Sequence, residues 1–238
     1  MVRLADGTRM QCHPRGRRQD CVVGDRVQWQ RSGDQGVIET VAPRRNLLFR
    51  QDAMRTKPFA ANLDQILVLV AATPPFSESV LSRALIAAAA ADIPVLLVLN
   101  KIDRPEVALA RERLAPYRAL GLDGLELSLK QAPEEALARL RPCLAGRSTL
   151  VLGPSGMGKS TLINLMVPDA GAQTGEISVA LNAGRHTTTA TTWYAIQAGG
   201  ALIDSPGFQT FGLHHLKPLE LAGLMPDVAP HASNCLFS

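Results

Sequence analysis

The chain has 238 residues, 46% of them hydrophobic and 19% charged, with a net charge of +4; that length holds one medium domain with small attachments. The longest apolar run, Ala84 to Ala91, stops at Asp92, far short of the about 18 residues that a membrane span needs. Arg3 and Asp6 break any secretory-leader pattern, so membrane and secreted classes are set aside and a cytoplasmic protein is expected.

In chain order, the first fifty residues read as short strands and turns. Val22-Val23-Gly24-Asp25-Arg26-Val27-Gln28-Trp29 places β-branched residues around a Gly-Asp turn, Ser32 to Gly36 is a second turn, and Val37 to Val41 is a further strand. This is the pattern of a small β-barrel. Residues 1–60 carry 12 Lys and Arg against 6 Asp and Glu, whereas the other 178 sum to −2. A basic small segment beside a near-neutral larger one points to a polyanion partner such as RNA; a solvated basic face is the alternative. Arg44, Arg45, Arg50, Arg55 and Lys57 read as a basic connector.

From about residue 62 the pattern becomes α/β. Ile66 to Ala71 is a continuous apolar run, as in a strand buried on both faces. The spacing then predicts a helix over 79–91, a strand over 95–99, a helix over 107–120 with a kink at Pro116, a strand over 125–128 and a helix over 134–140. A strand over 149–152, a helix over 158–166, a strand over 201–203 and a helix over 218–225 complete the series.

Three motifs follow the carboxyl ends of these strands, where open α/β sheets bind ligands. Gly153-Pro154-Ser155-Gly156-Met157-Gly158-Lys159-Ser160-Thr161 fits G-x-x-x-x-G-K-[ST], a loop whose N–H groups and following helix cradle phosphates. Lys159 adds charge at the β- and γ-phosphates and Ser160 a hydroxyl for Mg2+. Asn100-Lys101-Ile102-Asp103 suits base reading. A carboxylate at Asp103 accepts from the two N–H donors of guanine, and the about 1–3 kcal/mol cost of a buried unpaired group disfavours adenine. Lys101 can lay its stem along base and ribose. Asp204-Ser205-Pro206-Gly207 has the form of a switch in which Asp204 serves Mg2+ and the Gly207 N–H meets the γ-phosphate. Phe208 follows, and phenylalanine cannot orient a water.

Gly184-Arg185-His186-Thr187-Thr188-Thr189 lies between the P-loop and that switch. A hydroxyl of Thr188 or Thr189 would complete a Mg2+ shell, and His186 is the best placed group to orient an attacking water. Ser128, in Ser128-Leu129-Lys130, is a candidate for the loop that backs the base. In an ordinary GTPase the P-loop comes first and the base motif late. Here Asn100 precedes the P-loop by about fifty residues, the order expected of a circular permutation.

With these motifs, and with Cys12-His13-Pro14-Arg15-Gly16, Val23-Gly24-Asp25, Ala61-Asn62-Leu63-Asp64-Gln65 and Phe211-Gly212-Leu213, nearly the whole chain resembles the ribosome small subunit-dependent GTPase A (RsgA) family of bacterial circularly permuted GTPases. The resemblance implies an α/β P-loop GTPase with a mostly parallel sheet over 62–212, preceded by an OB-like RNA-binding barrel over 1–50 and a connector over 51–61. It implies a zinc-binding domain beginning within 213–238. It also implies late maturation of the 30S ribosomal subunit, contact with rRNA, ribosome-stimulated GTP hydrolysis, and a catalytic role for His186.

Two departures shape the expectation. The family's zinc domain opens with a Cys set as in Asn234-Cys235-Leu236-Phe237, but only Ser238 follows. Cys235 alone cannot hold Zn2+, which needs about four ligands, so a truncated or lost zinc domain is expected. The opening of the barrel is short, and the loop at Ser128 lacks the usual Ser-Ala pattern. The four cysteines form no C-x-x-C and are expected to be reduced. The leading expectation is a monomeric Mg2+-dependent GTPase with guanine nucleotide and the 30S subunit as partners and neither membrane nor DNA. The alternatives are an RNA-binding factor that uses GTP as a clamp with little turnover, and a P-loop ATPase.

Overall fold

The computed structural model describes residues 1–16, 21–51, 56–122, 124–172, 191–197, 199–205 and 212–232. The first of these are β-rich. Strands β1 (Val2–Arg3) and β2 (Arg9–Met10) pair antiparallel. Strands β3 (Cys12–Pro14), β4 (Val27–Ser32) and β5 (Gln35–Val41) form a sheet with β5 in the middle, parallel to β3 and antiparallel to β4. Along β4, Val27 and Trp29 are half-buried while Gln28 and Gln30 are exposed, the alternation of a strand with one covered face.

Residues 51–61, read in sequence as a basic connector, hold the whole of one strand and the last residue of another. Strand β6 (Leu47–Gln51) pairs antiparallel with β7 (Thr56–Ala61), and Phe59, Ala60 and Ala61 are buried. Charged residues at its start hid the apolar end of β7 from a composition reading.

The remaining elements are strand β8 (Gln65–Ala71), helix α1 (Glu78–Ala90), strand β9 (Val95–Asn100), helix α2 (Val107–Ala119), strand β10 (Gly124–Glu126), helix α3 (Pro133–Leu144), strand β11 (Arg147–Leu152), helix α4 (Lys159–Met166), strands β12 (Thr192–Ala195) and β13 (Gly200–Asp204), and the short helices α5 (Pro218–Gly223) and α6 (Ala229–Ala232). The main sheet has the order β10-β9-β8-β11-β13-β12. All neighbours are parallel except β12, which runs against β13.

Strand β8 explains its own apolar run. Ile66, Val68 and Val70 join a core with Leu81, Ala84, Ala87 and Ala88 of α1 and Leu114 of α2. Leu67, Leu69 and Ala71 face the other way, onto Leu137, Leu140 and Leu144 of α3 and Leu162 and Ile163 of α4. Both faces are covered, so neither carries polar residues. The first core also takes in Leu48 and Phe59, so the β6–β7 hairpin packs with α1 and α2 as part of the layer.

The helices begin where local chemistry favours it. Ser77 caps α1 by accepting from the Val80 N–H, and α3 opens on Pro133 followed by Glu134 and Glu135. Helix α3 outruns its predicted end at Leu140 because Ala136, Leu137, Leu140 and Leu144 keep one face buried past Pro142. The predicted strand over 125–128 ends earlier, at Glu126. Beyond it Ser128 turns the chain, its carbonyl accepting from the Ala132 N–H at 2.9 Å.

A polar seam joins the β-rich segment to the sheet. The Ala61 N–H donates to the Val23 carbonyl (2.9 Å) and the Asn62 amide to the Gly24 carbonyl (3.0 Å). Arg44 forks onto the buried Asp25 (2.8 and 2.9 Å), and Arg45 reaches Asp64 (2.6 Å). At the other end of the hairpin, the segment after residue 211 adds to β6. The Gln51 N–H donates to the Gly212 carbonyl and the His214 N–H to the Gln51 carbonyl, both at 3.1 Å, and the His215 and Phe49 rings lie 4.4 Å apart. Among the described residues no helix is long and apolar enough to cross a membrane.

Candidate active site

Because β8, β9, β10, β11 and β13 run parallel, the loops leaving their carboxyl ends share one edge of the sheet. Strand β9 ends on Asn100, β11 on Leu152 beside the P-loop, and β13 on Asp204.

The P-loop conformation depends on three glycines. At Gly153 an added Cβ would lie 2.5 Å from the Leu69 carbonyl oxygen. Gly158, the N-cap of α4, sits at φ +108°, where L side chains are strained, and a Cβ there would lie 2.4 Å from Asn100 Nδ2. Gly156, at φ +81°, makes the preceding turn. Ser155 is exposed, Pro154 and Gly156 are half-buried, and Met157 is buried beneath them. Lys159, Ser160 and Thr161 form the first turn of α4, at its positive end. Lys159 Nζ donates to the carbonyls of Gly153 (2.7 Å) and Pro154 (2.9 Å), so the ammonium lies folded over its own loop. Burial lowers the Lys159 pKa and the nearby Asp204 opposes that shift.

Asp204 is buried, and its Oδ1 has no hydrogen-bond partner among the described residues. Burial raises its pKa, with Lys159 pulling the other way. An orphaned buried carboxylate oxygen costs free energy unless something meets it. The next residue is pinned, since the Ser205 hydroxyl donates to the Val151 carbonyl (3.0 Å) and thereby ties the start of the switch to the P-loop strand.

On the base side, Asn100 acts as a tie. Its Nδ2 donates to the Met157 carbonyl (2.8 Å), and its Oδ1 accepts from the Leu129 N–H (3.1 Å). One side chain thus joins the base motif, the P-loop and the 128–131 loop. Lys101 adopts φ +59°, uncommon for a residue with a Cβ, and its Nζ donates to the Thr73 carbonyl (2.7 Å). Burial and then the Arg104 charge lower its pKa. The Ser128 hydroxyl donates to Asp103 Oδ1, and Arg104 Nε lies 3.5 Å from Asp103 Oδ2.

Asn100, Lys101, Asp103, Ser128, Gly153 to Thr161 and Asp204 therefore lie along one edge. His186, Thr188, Thr189, Gly207, Phe208 and Cys235 lie outside the described residues. Sequence reasoning missed the partners that hold the site. The Thr73 carbonyl, Leu129 N–H, Met157 carbonyl and Val151 carbonyl are backbone atoms, which no residue type announces. Among the described residues no group of three His, Cys, Asp or Glu side chains gathers as a metal site.

The family model for the RsgA GTPase matches residues 41–214. The small ribosomal subunit biogenesis GTPase RsgA of Variovorax paradoxus (strain S110) is 59% identical over 240 residues, covering all of this chain and 76% of that protein. The protein of the same name from Burkholderia pseudomallei (strain K96243) is 58% identical over the same shares. Among solved structures, YjeQ from Thermotoga maritima superposes with a TM-score of 0.72 at 27% identity, over 98% of this chain and 78% of that one. YloQ, a circularly permuted GTPase, gives 0.64 at 27% identity, over 96% and 73%. The motif order, the parallel sheet and these likenesses agree, and the chain belongs to the RsgA GTPase family of circularly permuted GTP-hydrolysing enzymes.

Proposed function

We propose that this GTPase uses its nucleotide state to bind and leave the small (30S) ribosomal subunit during its late maturation, as a monomer in the cytoplasm. The relatives' names support the partner, and the basic N-terminal segment supports contact with rRNA. The domain reading that goes with it is an RNA-binding β-rich segment in the first fifty residues, the GTPase at 62–212 with the β6–β7 hairpin packed into its layer in place of a link at 51–61, and a C-terminal segment at 213–238. The observation that carries the nucleotide assignment is the Asn100 tie, which brings the base motif and the P-loop into one site.

In this reading Asp103 takes the guanine N–H edge, held by Ser128. Lys101 lies along base and ribose, and the amides of residues 153–161 and Gly207 receive the phosphates. Ser160, Asp204 and one of Thr188 and Thr189 would hold Mg2+, and Asp204 Oδ1, without a partner among the described residues, fits that use. A Mg2+ held there would supply positive charge against the phosphates. His186 orients a water whose oxygen attacks the γ-phosphorus; the bond to the bridging oxygen breaks, and GDP leaves with the electron pair. Lys159 leaves its loop carbonyls for the phosphates and stabilises charge growing on the bridging and γ-oxygens. Zn2+ would need ligands besides Cys235.

Phe208 in place of a water-orienting side chain favours a second reading, in which GTP is a clamp with little turnover. Single-turnover GTP hydrolysis with and without 30S subunits separates the two. Stimulation by the subunits, lost about 100-fold in His186→Ala, is expected for the enzyme. Equal rates with and without subunits would favour the clamp, and a wild-type rate in His186→Ala would remove that histidine from the mechanism.

A further inference from the structure

We infer that Arg113, on a helix that carries none of the nucleotide motifs, is a positioning residue for guanine nucleotide, because it braces the loop to which Lys101 is tethered. The inference rests on the assignment of Lys101 to base and ribose.

Lys101 is held at two levels. Its backbone sits at φ +59°, and its ammonium is fixed by the Thr73 carbonyl at 2.7 Å. That carbonyl, with the backbone, sets the direction of the stem on which a base would lie. Thr73 belongs to the 72–77 loop between β8 and α1. At its start the loop is anchored to the base motif itself, the Ala72 N–H donating to the Asn100 carbonyl (3.1 Å).

The far end of the loop is anchored by Arg113. Its Nη2 donates to the Phe76 carbonyl. The same guanidinium forks onto Glu78 in the first turn of α1, with Nη2 at 2.6 Å from Oε2, and lies 4.6 Å from the centre of the Phe76 ring. Such a fork fixes direction as well as charge. Tyr117, one turn along α2, adds a hydroxyl that donates to the Glu78 carbonyl (3.1 Å) and shares a hydrogen bond with Ser82 (2.9 Å). Between Phe76 and Thr73 stand Pro74 and Pro75, whose rings restrict φ, which leaves few torsions to absorb a displacement at Phe76 before it reaches Thr73. Phe76 is buried and lines a small apolar cleft with Pro154 of the P-loop, so the braced loop borders the phosphate side as well.

The arginine therefore acts through Lys101 and not on the reacting atoms. Without it the Phe76 carbonyl and Glu78 lose their partner, the loop loosens, and Lys101 loses a fixed tether. Binding of GDP and GTP weakens by a common factor, while the step at the γ-phosphate is untouched.

The test measures GDP and GTP dissociation constants and kcat on the full chain. It compares wild type, Arg113→Ala, Arg113→Lys, Lys101→Ala and the Lys101→Ala/Arg113→Ala pair. Arg113→Ala is expected to raise both dissociation constants about tenfold, with kcat at saturating GTP unchanged. Arg113→Lys keeps the charge but loses the fork, is expected to raise them about threefold, and carries the test if the alanine variant does not fold. In the Lys101→Ala background, Arg113→Ala should add less than about twofold. A purely structural arginine would lower the melting midpoint and the fraction of active sites but leave the dissociation constant of the folded fraction alone, and that outcome overturns the inference. So does full additivity with Lys101→Ala. Unchanged binding in Lys101→Ala would sink the assignment of Lys101 itself, a result distinct from weakened binding there with none in the Arg113 variants.

Discussion

At the scale of single residues, the base side of the site divides two tasks between two neighbours. Both ends of the Asn100 amide are engaged with other loops, so its first role is to hold the P-loop against the base motif. Discrimination is left to Asp103, whose Oδ1 is steadied by the Ser128 hydroxyl. This arrangement makes a specific prediction. Asp103→Asn keeps an oxygen for Ser128 but replaces an acceptor by a donor, which suits the carbonyl that xanthine has where guanine has an amino group. The variant should bind xanthosine triphosphate better than GTP, with GTP affinity falling by about 100-fold, as expected when a site built for one hydrogen-bond pattern meets another. Competition binding checks it. Undiminished GTP affinity with no gain for the xanthine nucleotide would remove Asp103 from base reading.

Among the elements, the β6–β7 hairpin has the most consequential neighbours. Its β6 edge takes up residues 212–214, the chain that emerges a few residues past Asp204, and His215 packs on Phe49. A change in the Asp204 loop is thus covalently and hydrogen-bond linked to the hairpin. Burial lowers the His215 pKa, and its Nδ1 has no partner among the described residues. The fold favours the neutral imidazole, so it protonates at lower pH than in the unfolded chain, where the ordinary value is about 6.5. Stability contributed by the contact is therefore full above about pH 6.5 and is lost as pH falls from there toward the lower folded value. His215→Phe keeps a ring against Phe49 and removes the proton. Thermal melts should show a larger drop between about pH 7 and 5.5 for wild type than for His215→Phe. Equal drops would mean that the contact does not sense protonation.

At the scale of the whole molecule, what could be read from sequence follows from burial. Strands β8, β9 and β11 are sealed on both faces, so their apolar runs stand out, and the three motifs are found by spacing alone. The hairpin was not legible. Arg44, Arg45, Arg50, Arg55 and Lys57 made the stretch look like a basic connector, yet Arg44 and Arg45 neutralise Asp25 and Asp64 within the fold. Tertiary partners of that kind leave no local pattern. The consequence is a test of where the folding unit begins. Leu48 and Phe59 are almost fully buried in the core shared with Ile66, Leu81 and Leu114, and the family match also begins at residue 41. Removing both residues forfeits about 1.5–3 kcal/mol each, a large share of the about 5–15 kcal/mol that holds a domain together. A fragment that starts at residue 42 should melt cooperatively and bind GDP. One that starts at residue 62 should melt at least about 10 °C lower, or fail to fold, because α1 and α2 lose their cover. Circular dichroism melts of the two fragments compare them directly. Equal midpoints would show that the hairpin is an attachment to the GTPase layer and not part of it.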